Sequence, residues 1–285
     1  MKWLPAKKWM ERENRFMRTL RKKRVLITGG AQGMGREMAL AFADEGAEIV
    51  LGDINREKLE KTREAVQSRG VPCRAFGLDI TNRRSILKVR DDIKRDIGPL
   101  DVLVNNAGVV FGGPFLDTPL EKHVATYRVN ILGTVAMTHA FLPILIDRPS
   151  AHLVTIASAS GLIGLPNGST YASSKWAAIG FSESIRLELK LHGHSHVKVT
   201  TVCPSYIGTG MFDGARPPKL TSMLDPAKLA RRIVKAVRED EILVLEPWLV
   251  KVTPVIRGLL PPLLSDLVSD LFGATSSMEH WKGHR

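Results

Sequence analysis

Apolar residues along this chain fall into two alternating patterns. From Arg24 onward the runs RVLIT, AEIVLG, RAFGLD, LDVLVNN, HLVTIAS, VKVTTVC and ILVLEP are apolar nearly throughout, as expected of parallel strands covered on both faces. Between them lie stretches of helical period. Met34, Met38, Ala41 and Phe42 share one face ahead of Gly46, and Ile86, Val89, Ile93 and Ile97 share another ahead of Gly98. Each glycine stands where a helix C-terminus accommodates one. Seven strands joined by helical crossovers predict an α/β chain, a doubly wound parallel sheet with helices on both faces in a single domain.

Composition agrees with one large core: 285 residues, 44% of them hydrophobic, with no internal Pro/Gly/Ser-rich linker, repeat or low-complexity tract. Cys73 and Cys203 both lie in or beside apolar runs, which predicts buried thiols in a reducing compartment and offers no metal cage. The net charge of +12 would suggest nucleic acid if it followed a face. It does not: residues 1–24 hold ten Lys/Arg against two Glu, and +4 remains for the rest. That first segment lacks the continuous apolar core of a secretory signal. No stretch reaches the roughly 18 consecutive apolar residues of a membrane-spanning helix.

Chemistry begins where the first strand runs into TGGAQGMGRE, Thr28 to Glu37. Gly29, Gly33 and Gly35 allow a tight turn, close approach to a pyrophosphate and packing of the next helix; that helix N-terminus offers free N–H groups. A turn needing positive φ would account for the glycines alone. The second strand, however, ends in LGDIN, which puts Asp53 about 20 residues on, where a carboxylate accepts both hydroxyls of an adenosine ribose. The pair predicts a Rossmann-type site for NAD. NADP is less favoured, because Asp53 would repel a 2′-phosphate and Gln32 brings no cation; Arg56 is the nearby guanidinium that could weaken this preference, although it is expected as a solvated first-turn side chain.

The stretch STYASSKWAAIG sets Tyr171 four residues before Lys175, on one helix face. A free phenol ionises near pKa ~10 and a free ammonium near ~10.4, so neither is a base at neutral pH unless its surroundings shift it. With the glycine turn, these residues make the chain resemble the short-chain dehydrogenase/reductase family over about residues 24–246, on the branch of membrane-associated retinol and hydroxysteroid dehydrogenases. TGGAQGMG fits the family's cofactor turn, bringing Gln32 and Met34 to the dinucleotide beside the glycines, and Ile54 follows Asp53 there. LDIT brings Asp79 and Ile80 toward adenine; NNAG brings Asn106, Ala107 and Gly108. The segment CPSYIGTG implies Pro204, Ile207 and Thr209 at the nicotinamide amide.

The resemblance also implies a catalytic tetrad of Asn130, Ser158, Tyr171 and Lys175. Tyr171 would be the acid/base, its pKa lowered by the Lys175 ammonium and the positive ring of oxidised NAD. Ser158 would hold the substrate oxygen, and Asn130 would fix a water that relays the proton past Lys175. Ser160 competes with Ser158; relatives place this serine 13 residues before the tyrosine, which selects Ser158. Ser205 and Ala157 depart from the commonest family residues.

Other features read as structure. His192, His194 and His196 fall in a short connection and are expected in a solvated loop. Trp176 is expected to pack, and residues 210–224, rich in Gly and Pro, to form a mobile lid over substrate. Beyond the seventh strand the chain stays apolar but is broken by Pro254, Pro261 and Pro262, and four of the five tryptophans, Trp3, Trp9, Trp248 and Trp281, lie in the terminal segments. Such segments rest on an anionic lipid surface or pack on the body or a partner subunit.

The expected organisation is therefore a basic amphipathic segment 1–23, an NAD-binding catalytic domain 24–246 and an apolar extension 247–285. The expected activity is NAD-dependent interconversion of a hydrophobic alcohol, lipid, retinoid or steroid-like, with its carbonyl. An NAD(P)H-dependent carbonyl or 3-oxoacyl reductase, and a dinucleotide-binding protein without turnover, are the competing readings. The protein is expected in the cytoplasm, peripheral on a membrane surface in one reading, as a homodimer or homotetramer built from the helices around residues 121–146 and 171–191. Neither nucleic acid nor a metal is expected.

Overall fold

The computed structural model describes residues 19–283. The basic amphipathic segment read from the sequence, with Trp3 and Trp9, falls outside the described residues up to residue 18. Seven parallel strands form one sheet in the order β3-β2-β1-β4-β5-β6-β7. They are β1 (Arg24–Thr28), β2 (Glu48–Asp53), β3 (Cys73–Gly77), β4 (Val102–Asn105), β5 (Ala151–Ile156), β6 (Val197–Pro204) and β7 (Leu243–Glu246). Val25 faces Ile49 on one side and Val102 on the other. The order runs outward from β1 to β3 and returns to β4, so a crevice opens at the strand C-termini between β1 and β4.

Period-two alternation sends successive side chains to opposite faces. Val25 and Ile27 pack with Met38 and Phe42 of α1 (Gly33–Asp44) and Ile233 and Val237 of α7 (Pro226–Arg238). Leu26, between them, joins Ile86 and Ile93 of α3 (Arg83–Asp96), Phe141 and Leu145 of α5 (Thr134–Ile146), and Leu189 of α6 (Ser169–Leu191). Gly46 and Gly98 take φ of +78° and +95° just past the two helices that the apolar pattern ends there. The side chain of Asn55 caps α2 (Arg56–Gln67), Asn82 caps α3 and Asp225 caps α7 by accepting first-turn N–H groups.

Helix α4 (Leu120–Tyr127) continues through a π turn, Arg128–Gly133, into α5. Leu120–Ile146, 27 residues long, contains an 18-residue stretch of mean hydropathy 1.8 and so passes for a membrane-crossing helix by length and composition, although polar residues interrupt its apolar runs. Met137, Phe141 and Leu145 are wholly buried and pack with Leu26 of β1 and Leu103 of β4. After β7 come α8 (Trp248–Leu259) and α9 (Pro262–Leu271). Trp248, Val255, Leu259, Leu263, Leu267 and Leu271 stand exposed along this pair.

Candidate active site

At the end of β1 the glycine turn is stapled to the end of β4. The Thr28 hydroxyl accepts the N–H groups of Asn106 (2.9 Å) and Ala107 (3.1 Å), while Asn106 Nδ2 donates to the carbonyls of Thr28 (2.9 Å) and Gly29 (3.2 Å). Gly29 and Gly33 adopt φ of +66° and +56°. At Gly35 a Cβ would lie 2.0 Å from the Gly29 carbonyl oxygen, so the helix can approach the turn only at a glycine. Gln32 at the N-cap of α1 makes no side-chain cap, in contrast to the asparagine and aspartate caps elsewhere. Gly33 and Met34, which open the helix, line the crevice, so the uncapped helix end lies beside it.

A cavity of about 400 Å³ runs along this edge of the sheet. Most residues expected at a dinucleotide line it: Gly29, Gln32, Gly33 and Met34 from the turn, Asp53 and Ile54 after β2, Asp79 and Ile80 after β3. Asn106, Ala107 and Gly108 after β4, Tyr171 and Lys175 from α6, and Pro204, Ile207 and Thr209 after β6 complete it. Gly35 and Asn130 stand behind the wall. Asp53 is held by two backbone donors, Ala31 N at 3.0 Å and Asn55 N at 2.9 Å, one to each oxygen, which leaves a lone pair on each oxygen toward the cavity. Backbone cradle, uncapped helix end and fixed carboxylate together fit a nicotinamide dinucleotide. Arg56, exposed, lies along Gly77. The cation bonded to the turn's glutamine is Lys58, whose Nζ donates to Gln32 Oε1 at 2.6 Å, a residue whose three-residue offset from Asn55 reads in the sequence as an ordinary first helical turn.

Asn130 lies in the π turn, 2% exposed. Its Nδ2 donates to Val109 O (2.9 Å) and Ser174 Oγ (3.0 Å), and its Oδ1 accepts Val109 N (2.8 Å). Both N–H donors are thus engaged in clamping the loop after β4 onto α6. Of the side chain, only the second lone pair of Oδ1 is left for the water expected at Asn130. Lys175 Nζ donates to Ile156 O at 2.8 Å and lies 5.7 Å from the centre of the Tyr171 ring.

Ser158, at the end of β5, accepts the N–H of Ser160 (3.2 Å) and lies 3.4 Å from Pro204 O. A second cavity, about 160 Å³ and mostly apolar in lining, opens beyond it against Leu249, Ile256, Val268 and Phe272. Ser158, Tyr171, Ser205 and Phe212 line both cavities. Ser160 faces only the apolar one, and its hydroxyl has no partner among the described residues. The 13-residue spacing thus selects the serine at the junction.

Burial dominates the electrostatics. It pushes the Tyr171 phenol above its ordinary value, with the Ser158 hydroxyl pulling the other way and Tyr206 adding to the rise. It also pushes Lys175 down to about 8. The expected lowering of Tyr171 is therefore not produced by the polypeptide's own groups: desolvation of the phenolate outweighs the hydrogen bond from Ser158. Cys73 and Cys203 are buried free thiols, each pushed up to about 12 by burial. Trp176 donates its indole N–H to Ser160 O and Ile163 O and lies under the Arg257 guanidinium at 4.4 Å.

The short chain dehydrogenase family profile matches residues 23–219. Mouse epidermal retinol dehydrogenase 2 is 36% identical over 264 residues, covering 92% of this chain and 85% of the relative. Rat 17-beta-hydroxysteroid dehydrogenase 13 is 32% identical over 237 residues, covering 83% and 79%. Among solved structures, a short chain dehydrogenase/reductase from Burkholderia phymatum in complex with NAD superposes with a TM-score of 0.77 at 24% identity, covering 84% of this chain and 94% of that one. That likeness concerns the fold, which is the Rossmann-type sheet the apolar pattern predicts. Sequence and architecture thus converge: the chain belongs to the short-chain dehydrogenase/reductase family, on its retinol and hydroxysteroid dehydrogenase branch, and is an oxidoreductase acting on CH–OH groups with a nicotinamide cofactor.

Proposed function

We propose that the chain interconverts a hydrophobic alcohol, of lipid, retinoid or steroid-like character, with its carbonyl, using NAD and with Tyr171 as the acid/base. One observation carries the reading: Ser158 and Tyr171 line both the dinucleotide-sized cavity and the apolar one. When bound, the nicotinamide supplies the hydride acceptor and a positive ring. Tyr171 Oη takes the alcohol proton, Ser158 Oγ holds the reacting oxygen, and the Lys175 ammonium favours the phenolate against its burial. Asn130 acts by fixing the loop after β4, and Gly35 by letting α1 approach the turn. Residues 24–246 form the catalytic domain in this account. The mostly apolar second cavity supports an apolar substrate, as do the retinol and hydroxysteroid dehydrogenases that resemble the chain.

Asp53 supports NAD. Lys58 favours a second reading, in which the enzyme accepts NADP and runs as a carbonyl or oxoacyl reductase, because its ammonium stands beside the turn where a 2′-phosphate would need a counter-charge. Initial rates with NAD and NADP in both directions, over fatty, retinoid and steroid alcohols and their carbonyls, decide between them. NAD-dependent oxidation at least tenfold faster than with NADP is expected, and an NADPH-only reductase would overturn the first reading.

A membrane-surface position at the cytoplasmic side is part of the proposal, supported by the exposed leucines of α8 and α9. A homodimer or homotetramer through α4, α5 and α6 is supported by exposed Leu120, Val124, Tyr127 and Leu132. Light scattering after gel filtration tests the latter, with a monomer as the contrary result.

A further inference from the structure

The segment from Phe272 to Gly283 crosses the substrate side of the molecule, and no sequence motif gives it a task. It fastens residues 205–224 at five points. Lys219 N donates to Phe272 O, Arg216 N to Ser277 O and Lys282 N to Asp213 O, each at 2.8 Å. Trp281 Nε1 donates to Met211 O at 3.1 Å, and Tyr206 Oη to Ser277 Oγ at 2.7 Å. The backbone is shaped for this contact: Gly214 has φ +83°, and a Cβ there would stand 2.0 Å from His280 O. On its other side the segment reaches the loop after β4. A Cβ at Gly112 would lie 2.7 Å from the Trp281 ring and 3.1 Å from Met278 Cε.

Tyr171 stands between the two loops so joined. It shares an apolar cluster with Tyr206, Phe212 and Met278, against which Trp281 packs. Phe212 meets Tyr171 and Tyr206 edge to face, at 5.8 Å and 5.2 Å between ring centres. Phe272, Ala274 and Ser277 line the apolar cavity.

We propose that residues 272–283 are a positioning strap for the substrate site: they hold segment 205–224, and with it Tyr206 and Phe212, against Tyr171 and so set the cavity that receives the alcohol. Trp281 and Ser277 are positioning residues, acting through Met211 and Tyr206. The proposal rests on the dehydrogenase reading for its kinetic consequence, but the fastening itself is testable without turnover. Full-length Trp281→Ala and Gly214→Ala proteins, with Trp281→Phe as the conservative variant, are compared by trypsin cleavage after Lys219, by kcat and KM for a long-chain alcohol, and by calorimetric binding of NAD. Tyr206→Phe, which deletes one hydrogen bond, replaces either alanine variant that loses its circular dichroism.

Cleavage after Lys219 is expected to accelerate about tenfold as the segment opens locally. KM is expected to rise about tenfold while kcat changes less than about threefold. NAD affinity is expected to hold, and Trp281→Phe to restore both parent values. Unchanged cleavage, or faster cleavage with KM untouched, would overturn the strap. A parent enzyme that turns over no alcohol would count against the dehydrogenase reading instead, with the cleavage result still deciding the fastening.

Discussion

Burial opposes charge on both Tyr171 and Lys175, raising one pKa and bringing the other to about 8. Oxidation needs the phenolate, so kcat/KM for alcohol oxidation should climb with pH below about 8 by close to tenfold per unit. Above that value Lys175 loses its proton, the phenolate loses its cation, and the rate should level and then fall. Carbonyl reduction uses the protonated phenol, which burial keeps protonated through this range, and should stay nearly level. Initial rates from pH 6 to 10 in both directions check these signs; a flat oxidation profile would contradict them. The two serines offer a second comparison. Ser158→Ala should lower kcat/KM by about 10²–10³-fold, the usual cost of losing one donor aimed at a reacting oxygen, whereas Ser160→Ala should stay within about threefold because its hydroxyl holds nothing among the described residues. Equal losses would reassign the role.

The turn between β1 and α1 tolerates no side chain at Gly35, where a methyl would press on the Gly29 carbonyl. Gly35→Ala should abolish measurable NAD binding in calorimetry or lower Tm by several degrees; an unchanged variant would remove the cradle from the account. In α5, Phe141→Ala should cost about 3–5 kcal/mol in urea unfolding, since the ring is wholly buried beneath the sheet. All seven strands were legible in the sequence, the central ones because parallel strands there are apolar on both faces, and the glycines at 46 and 98 marked real helix ends. The π turn was not. Its residues, RVNILG, continue a helical pattern, and the extra residue per turn that carries Asn130 inward arises from packing against α6 and the loop after β4. Lys58 was missed for a similar reason, since only the folded turn brings Gln32 within reach of it.

Across the whole molecule, what escaped the sequence is what joins distant segments. Asp53 and the glycine turn lie within a single βαβ unit and can be read from local spacing, whereas Trp281 meets Gly112 and Met211 only after the chain has closed on itself. Replacing Leu263 and Leu267, both exposed on α9, with serine should reduce flotation with anionic liposomes by more than half while leaving NAD binding intact; equal flotation would place the contact elsewhere. The central claim, that one buried phenol moves the proton for a hydrophobic alcohol, is tested most directly by Tyr171→Phe. With NAD binding first matched to the parent by calorimetry, kcat for the best alcohol should fall by about 10²–10⁴-fold. A Tyr171→Phe enzyme that binds NAD equally well and turns over at the parental rate would contradict it.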